Sequence, residues 1–185
     1  MVKIMEDATL QHEVIIVGAG VAGIYQLYRL LEMGVDVTVL EAGSGPGGTW
    51  YWNRYPGCRF DSESYTYGYS FSKELMNEWN WSEHFSGQPE TLRYLEHVVE
   101  KFDLRKHMQF GRRVESAVFD EDACLWVLKL SDGRNLTTRF LFTAIGMLSA
   151  PTMPTISGVE DFKGDAFHTY YWPKEPVEFA GKKVG

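Results

Sequence analysis

The sequence is short of cysteine, short of basic charge and free of long apolar runs, and each shortage excludes a class of protein. Among 185 residues there are two cysteines, Cys58 and Cys124. No C-x-x-C or Cys/His spacing occurs, so zinc-ribbon and thioredoxin-type readings fall away, and no disulfide framework is implied. Lys and Arg number 18 against 25 Asp and Glu, a formal charge of −7. Nucleic-acid binders need clustered cations for phosphate contact, so that class is not expected. No apolar stretch approaches the roughly 20 residues that cross a bilayer. Residues 1–11 are mixed in charge and lack the apolar core of a signal peptide, so no export and no membrane are expected, and a reducing cytoplasm fits. What remains is ordinary globular composition, 44% apolar and 23% charged, at a length that allows one domain or one and a fragment.

The first 41 residues carry a strand–helix–strand pattern. Glu13 to Val17 is a short apolar run ended by Gly18, as expected of a strand covered on both faces. Ile24, Leu27, Leu30 and Leu31 fall at helical spacing between Val21 and Met33, and Gly34 is placed to end that helix. Val35 to Leu40 reads as a second strand with Glu41 at its tip. A parallel pair with a right-handed crossover follows. Gly18-x-Gly20-x-x-Gly23 lies between strand and helix. Gly18 permits the tight turn, Gly20 lets backbone approach a pyrophosphate, and Gly23 lets helix pack on strand. The free N–H groups of the helix start then face the phosphates. Glu41 can accept from a ribose diol and would repel a 2′-phosphate, which points to FAD or NAD as the first nucleotide. A purely structural Gly-rich turn is the competing reading.

A second stretch is Gly47-Gly48-Thr49-Trp50 with Tyr55-Pro56-Gly57 and Asp61. The paired glycines allow another close backbone approach, and Trp50 offers a flat apolar wall to a flavin ring. Asp61, set among aromatics, is expected to pair with a cation such as Arg54 or Arg59. An aromatic core around a satisfied Asp61 is the equal alternative on chemistry alone. Tyr65, Tyr67, Tyr69 and Phe71 alternate with small residues and predict an extended segment with one aromatic face. A helix is predicted over 88–102, antiparallel strands over 110–137 with an Asp132-Gly133 hairpin, and a further buried strand over 140–145. The third stretch, Phe162-x-Gly164-x-x-x-His168-x-x-x-Trp172-Pro173, yields little alone, because no Ser, Cys or acid is placed to make a triad with His168.

Together these residues resemble the Baeyer–Villiger monooxygenases of the flavin- and NADPH-dependent type. Residues 162–173 fill every defined position of that family's F-x-G-x-x-x-H-x-x-x-W-P fingerprint, and residues 47–61 fill its G-G-x-W-x-x-x-x-Y-P-G-x-x-x-D motif. The resemblance implies an α/β fold: a Rossmann-like, doubly wound FAD-binding domain with a parallel sheet plus an antiparallel β-meander. It implies that residues 1–150 are the N-terminal part of the FAD domain. Residues 151–180 would be a linker bearing the fingerprint. Residues 181–185 would open one more strand, the start of an NADPH-binding Rossmann domain. The activity implied is insertion of one oxygen atom from O₂ into a ketone, cyclic or terpenoid-derived, to give an ester or lactone through a C4a-peroxyflavin, with NADPH as reductant.

By the same resemblance Gly18, Gly20 and Gly23 hold the pyrophosphate and Glu41 the ribose. Gly48, Thr49, Trp50, Asp61 and Tyr67 lie along the flavin, and Val114 lies near adenine. Arg59 and Asp61 also meet the nicotinamide cofactor, and Asp61 pairs with a catalytic arginine outside this chain. Phe162, Gly164, His168, Trp172 and Pro173 serve domain coupling. An N- or S-oxidising flavin monooxygenase and a stand-alone flavin-binding module without turnover are the other readings. The 185 residues alone are expected to be inactive.

Overall fold

The computed structural model describes residues 10–185. The expectation of no leader therefore falls largely on residues outside those described. Six strands form one mixed sheet in the order β3-β2-β1-β6-β5-β4. At its centre β1 (His12–Val17) lies parallel to both β2 (Val37–Leu40) and β6 (Asn135–Thr143). Being covered on both faces explains why β1 is apolar at every inner position: Val14 and Ile16 enter one core cluster and Ile15 the other. Beyond β6, β5 (Leu125–Leu130) and β4 (Val114–Asp120) continue antiparallel. At the other edge β3 (Met108–Gln109) pairs parallel with β2.

Helix α1 (Val21–Glu32) buries Ile24 and Leu27 against the sheet and ends as read, with Gly34 at φ +76°. The second strand starts two residues later than expected. The Gly34 and Val35 amides close the helix end onto Leu31 and Leu30 carbonyls, which keeps residue 35 out of the sheet. Helix α5 (Gln88–Lys101) also follows the sequence pattern, burying Leu95, Val98 and Val99.

Three expectations fail. Tyr65 to Phe71 is not one extended segment. Between α2 (Thr49–Trp52) and α4 (Lys73–Glu78), Ser64–Tyr67 coils into a helical turn, α3. The Ser64 hydroxyl is buried, donates to the Glu83 carbonyl at 2.7 Å and accepts from the Ser86 amide at 3.0 Å, which pins the chain there. Two residues of helix rotate a side chain by about 200°. Tyr65 therefore faces solvent, while Tyr67 stacks on Phe60 at 4.3 Å. Secondly, residues 135–138 and 140–145 do not form separate strands. Residues 135–143 make one strand, β6, whose first half pairs with β5 and whose second half pairs with β1, and residues 144 and 145 lie beyond its end. Nor is β6 buried throughout: Phe140 and Phe142 remain 51% and 38% exposed. Thirdly, residues 181–185 form no strand. A strand needs a neighbour's hydrogen bonds, and none is paired with them.

Candidate cofactor cleft

The first turn of the sheet is built on two close approaches. Gly18 has φ +106°, and a Cβ there would lie 2.5 Å from the Ala144 carbonyl oxygen. A Cβ on Gly23 would lie 1.9 Å from the Gly18 carbonyl oxygen, so α1 sits on the turn at backbone distance. Gly20 precedes α1 with no side chain capping the helix start. Its nearest neighbour is Gly48, φ +54°, whose own Cβ would lie 2.7 Å from Gly20 Cα. The Gly47 amide donates to the Ala19 carbonyl at 2.8 Å. The glycines of the first two stretches are thus in contact, and part of the room at Gly20 is taken by Gly48.

Glu41 is buried at the end of β2. Its Oε2 accepts the Ala19 amide at 2.8 Å and its Oε1 the Gly43 amide at 2.7 Å. Each carboxylate oxygen keeps a second acceptor site, so the side chain is held in place and can still receive hydroxyl donors.

These parts meet in a cleft of about 700 Å³, inside the size range of small-molecule sites, roughly 300–1,000 Å³. Gly18, Gly20, Glu41, Gly48, Thr49, Trp50, Tyr67 and Val114 all line it. Gly23 supports it from beneath. The bare turn, the uncapped start of α1 and the anchored carboxylate fit the diphosphate and ribose of a dinucleotide. No metal-binding group of His, Cys, Asp or Glu occurs among the described residues.

Trp50 is placed differently from a free wall. It is buried, stands edge-on to Phe60 and Tyr67, and donates its indole N–H to the Tyr67 hydroxyl at 2.7 Å. Burial pushes the Tyr67 phenol up, with the Trp50 N–H pulling the other way. Tyr67 therefore stays a neutral hydroxyl at neutral pH, with a proton to donate into the cleft. Tyr67→Phe is expected to strand the buried indole N–H and to lower unfolding free energy by about 1–3 kcal/mol, measured by urea unfolding.

Arg59 and Asp61 do not line the cleft. Arg59 is exposed and donates to the Glu83 carboxylate and the Phe85 carbonyl, both at 3.1 Å. The expected pairing of Asp61 with a nearby cation is not found. Asp61 is exposed, and Arg54 instead donates to the Tyr51 carbonyl. An exposed carboxylate is hydrated and needs no partner, which removes the reason for the expectation.

None of Phe162, Gly164, His168, Trp172 and Pro173 lines the large cleft. Phe162 and Gly164 edge a smaller one of about 320 Å³ with Phe179 and Lys182. His168 Nδ1 accepts the Tyr170 amide at 3.1 Å, and Trp172 packs on Phe167. A residue at an undefined position of that stretch makes the connection instead. Tyr170 lines the large cleft and donates its hydroxyl to the Ser149 carbonyl at 2.9 Å.

Sequence reasoning also missed Arg112, Arg113 and the loop from Ile145 to Ala150. The loop was findable, since ligands collect at the carboxyl ends of parallel strands and β6 ends at Thr143. The arginines carried no such signal. Among the described residues no helix is long and apolar enough to cross a membrane.

Comparison with known proteins agrees with this geometry. The profile of the NAD(P)-binding Rossmann-like domain matches residues 16–79. The chain is 49% identical to the acetone monooxygenase (methyl acetate-forming) of Gordonia sp. (strain TY-5), over 98% of this chain and 34% of that protein. It is 44% identical to a phenazine N-monooxygenase of Lysobacter antibioticus, over 94% of this chain and 32% of that protein. Among solved structures, OTEMO in complex with FAD and NADP superposes with a TM-score of 0.87 at 46% identity, covering 95% of this chain and 34% of that one. The chain thus spans about a third of the length of the relatives it matches.

Proposed function

We propose, from a chain homologous to about a third of the Baeyer–Villiger-type monooxygenases, that it is the N-terminal part of such an enzyme and holds FAD in the large cleft. In this reading residues 1–150 belong to the FAD-binding domain, 151–180 form the linker, and 181–185 begin the NADPH-binding domain. The complete protein inserts one oxygen atom from O₂ into a ketone, cyclic ones included, and takes its electrons from NADPH. Its partners are small molecules, with no nucleic acid and no membrane, in the cytoplasm.

The observation that carries the proposal is the convergence of the glycine turn, the anchored Glu41 and the Gly48–Trp50 loop on one cleft. When bound there, FAD supplies the redox and oxygen chemistry. The chain's own residues do the rest. Gly18, Gly20 and Gly23 clear the turn for the diphosphate, and the first-turn amides of α1 donate to it. Glu41 accepts from the ribose. Thr49 and Tyr67 bring hydroxyls to the flavin side, and Trp50 fixes Tyr67 from behind. Val114 borders the adenine end. Arg59 and Asp61 stand outside the cleft; in this reading they would meet the nicotinamide cofactor, and Asp61 would hold an arginine contributed from outside this chain. Phe162, Gly164, His168, Trp172 and Pro173 couple the domains. Of these, His168 shapes the turn that aims Tyr170 at the cleft.

The relative that oxidises at nitrogen favours one second reading, N-oxidation. The test uses the complete protein. It should purify yellow, oxidise NADPH faster when cyclohexanone is added, and yield the lactone. A tertiary amine converted to its N-oxide while the ketone is untouched would favour the second reading. Protein that cannot be loaded with FAD would remove both.

A further inference from the structure

Arg112 is one of the cleft residues that neither motif nor spacing marks, and its surroundings are unfinished. Its amide donates to the Glu41 carbonyl at 2.8 Å, and the neighbouring Gly111 amide to the Gly43 carbonyl at 2.8 Å. Residue 112 is therefore tied to the main chain of the carboxylate that faces the ribose. Its side chain lines the cleft. The guanidinium is poorly held where it lies. Nε is buried with no partner, and Nη1 stands 3.4 Å from Asp132 Oδ2. That carboxylate oxygen is already taken by Arg134, at 2.9 Å through Nε and 2.8 Å through Nη2. A guanidinium has five donors in a planar fork and a face that stacks on flat rings. Here one contact at marginal length uses a single donor.

We propose that Arg112 swings from Asp132 onto the adenosine half of the bound dinucleotide and sets how tightly that half is held. The inference rests on the reading of the cleft as an FAD site. The swing gives the stranded Nε access to acceptors and leaves Asp132 to Arg134. Arg112 sits beside Glu41 and near Val114, at the adenosine end of the cleft rather than at the Trp50–Tyr67 end. Its effect should therefore depend on the adenosine half alone. A cation beside a ribose could instead read a 2′-phosphate, but the Glu41 carboxylate at the same place opposes one.

Flavin is removed from the complete protein, and binding of FAD, FMN and NADP⁺ is titrated by flavin fluorescence and calorimetry. Arg112→Met keeps much of the stem and removes the charge and donors. It should weaken FAD by about tenfold, the scale of one desolvated cation–ring or charge-assisted contact, and leave FMN unchanged. Arg112→Lys should recover only part of the loss. Asp132→Asn, which keeps the turn and weakens the resting anchor, should leave FAD binding equal or tighter. FAD affinity unchanged in Arg112→Met overturns the proposal. So does an equal loss for FAD and FMN, or a loss confined to NADP⁺, which would assign the arginine to a 2′-phosphate. Should Arg112→Met fail to fold, the Lys and Asn variants decide: a fall in FAD affinity on weakening Asp132 overturns the swing. Wild-type protein that binds no FAD overturns the cofactor reading and this inference with it, and is told apart from the other failures by that control.

Discussion

Gly23→Ala is expected to empty the protein of flavin and to lower its unfolding free energy by about 3 kcal/mol, at the upper end of overpacking costs. The added methyl would sit 1.9 Å from the Gly18 carbonyl oxygen, and that atom is backbone. Gly18 has little room to give way, because Ala144 packs against it as well: the Ala144 carbonyl oxygen lies 2.5 Å from the position a Cβ would take on Gly18, and the Ala144 Cβ lies 3.5 Å from the position the new methyl would take on Gly23. The helix must move instead, and its first-turn amides are the groups offered to the diphosphate. Loss of cofactor and loss of stability therefore come from one displacement. Gly34→Ala is the internal comparison. Gly34 has φ +76° but nothing within 4 Å of its Cβ position. It should cost only the left-handed conformation, about 1–2 kcal/mol, and keep its flavin. The ratio of flavin to protein absorbance and thermal unfolding read both effects. A Gly23→Ala protein with full flavin would mean that the helix start does not hold the diphosphate.

The same contrast shows what the sequence could reveal. Gly23 was legible because its motif has a geometric cause, and the structure supplies that cause at 1.9 Å. The β1–α1–β2 unit was legible because its apolar spacing is local, and α5 for the same reason. The Asp132-Gly133 hairpin joins β5 and β6 antiparallel, as its turn chemistry demands. The failures occur where a distant residue decides. Alternating aromatics over 65–71 obey a period of two, yet a hydroxyl bonded some twenty residues along the chain imposes a helical turn. Strand β6 reads as two runs because its partner changes from β5 to β1 along its length, and no local pattern records which neighbour a strand will have.

The cleft divides in the same way. Six of its lining residues, Gly18, Gly20, Glu41, Gly48, Thr49 and Trp50, lie in or beside the motifs, since backbone approach and ribose binding restrict residue types, whereas Tyr67 and Val114 came from the family resemblance alone. Arg112 and Tyr170 were not named, because any long side chain at those positions could reach the cleft or avoid it. Asp61 was misjudged through its neighbours. Aromatic composition implied burial, but Asp61 and Tyr65 are exposed on a stretch whose Cys58, Phe60 and Ser64 are buried and whose Tyr55 packs half-buried on the core. Exposure, and not pairing, is what satisfies the Asp61 carboxylate within this chain.

That exposure makes Asp61→Ala the most discriminating test of the proposed chemistry. A carboxylate with no partner here contributes little to folding, so stability should change by no more than about 0.5 kcal/mol. FAD content should be unchanged as well, because Asp61 does not line the cleft. Ester formation by the complete protein should nevertheless fall by about 100-fold or more, the scale of losing one preorganised charge in an active site. The carboxylate would act through the arginine it orients, which makes it a positioning residue. Three readings separate that role from a structural one. Thermal unfolding should coincide with wild type. NADPH oxidation without ketone should fall less than product formation. Asp61→Glu, which keeps the charge and shifts it by one methylene, should recover part of the turnover where Asp61→Asn does not. Turnover at the wild-type level in Asp61→Ala would remove this residue from the reaction, and a matching loss of FAD would place it in cofactor binding instead. Glu83→Gln should weaken the contact with Arg59 that holds the same turn, while keeping the Arg59 side chain that the reading assigns to the nicotinamide cofactor. If Asp61 works by position, that loosening should reproduce a fraction of the Asp61→Ala defect with the carboxylate intact.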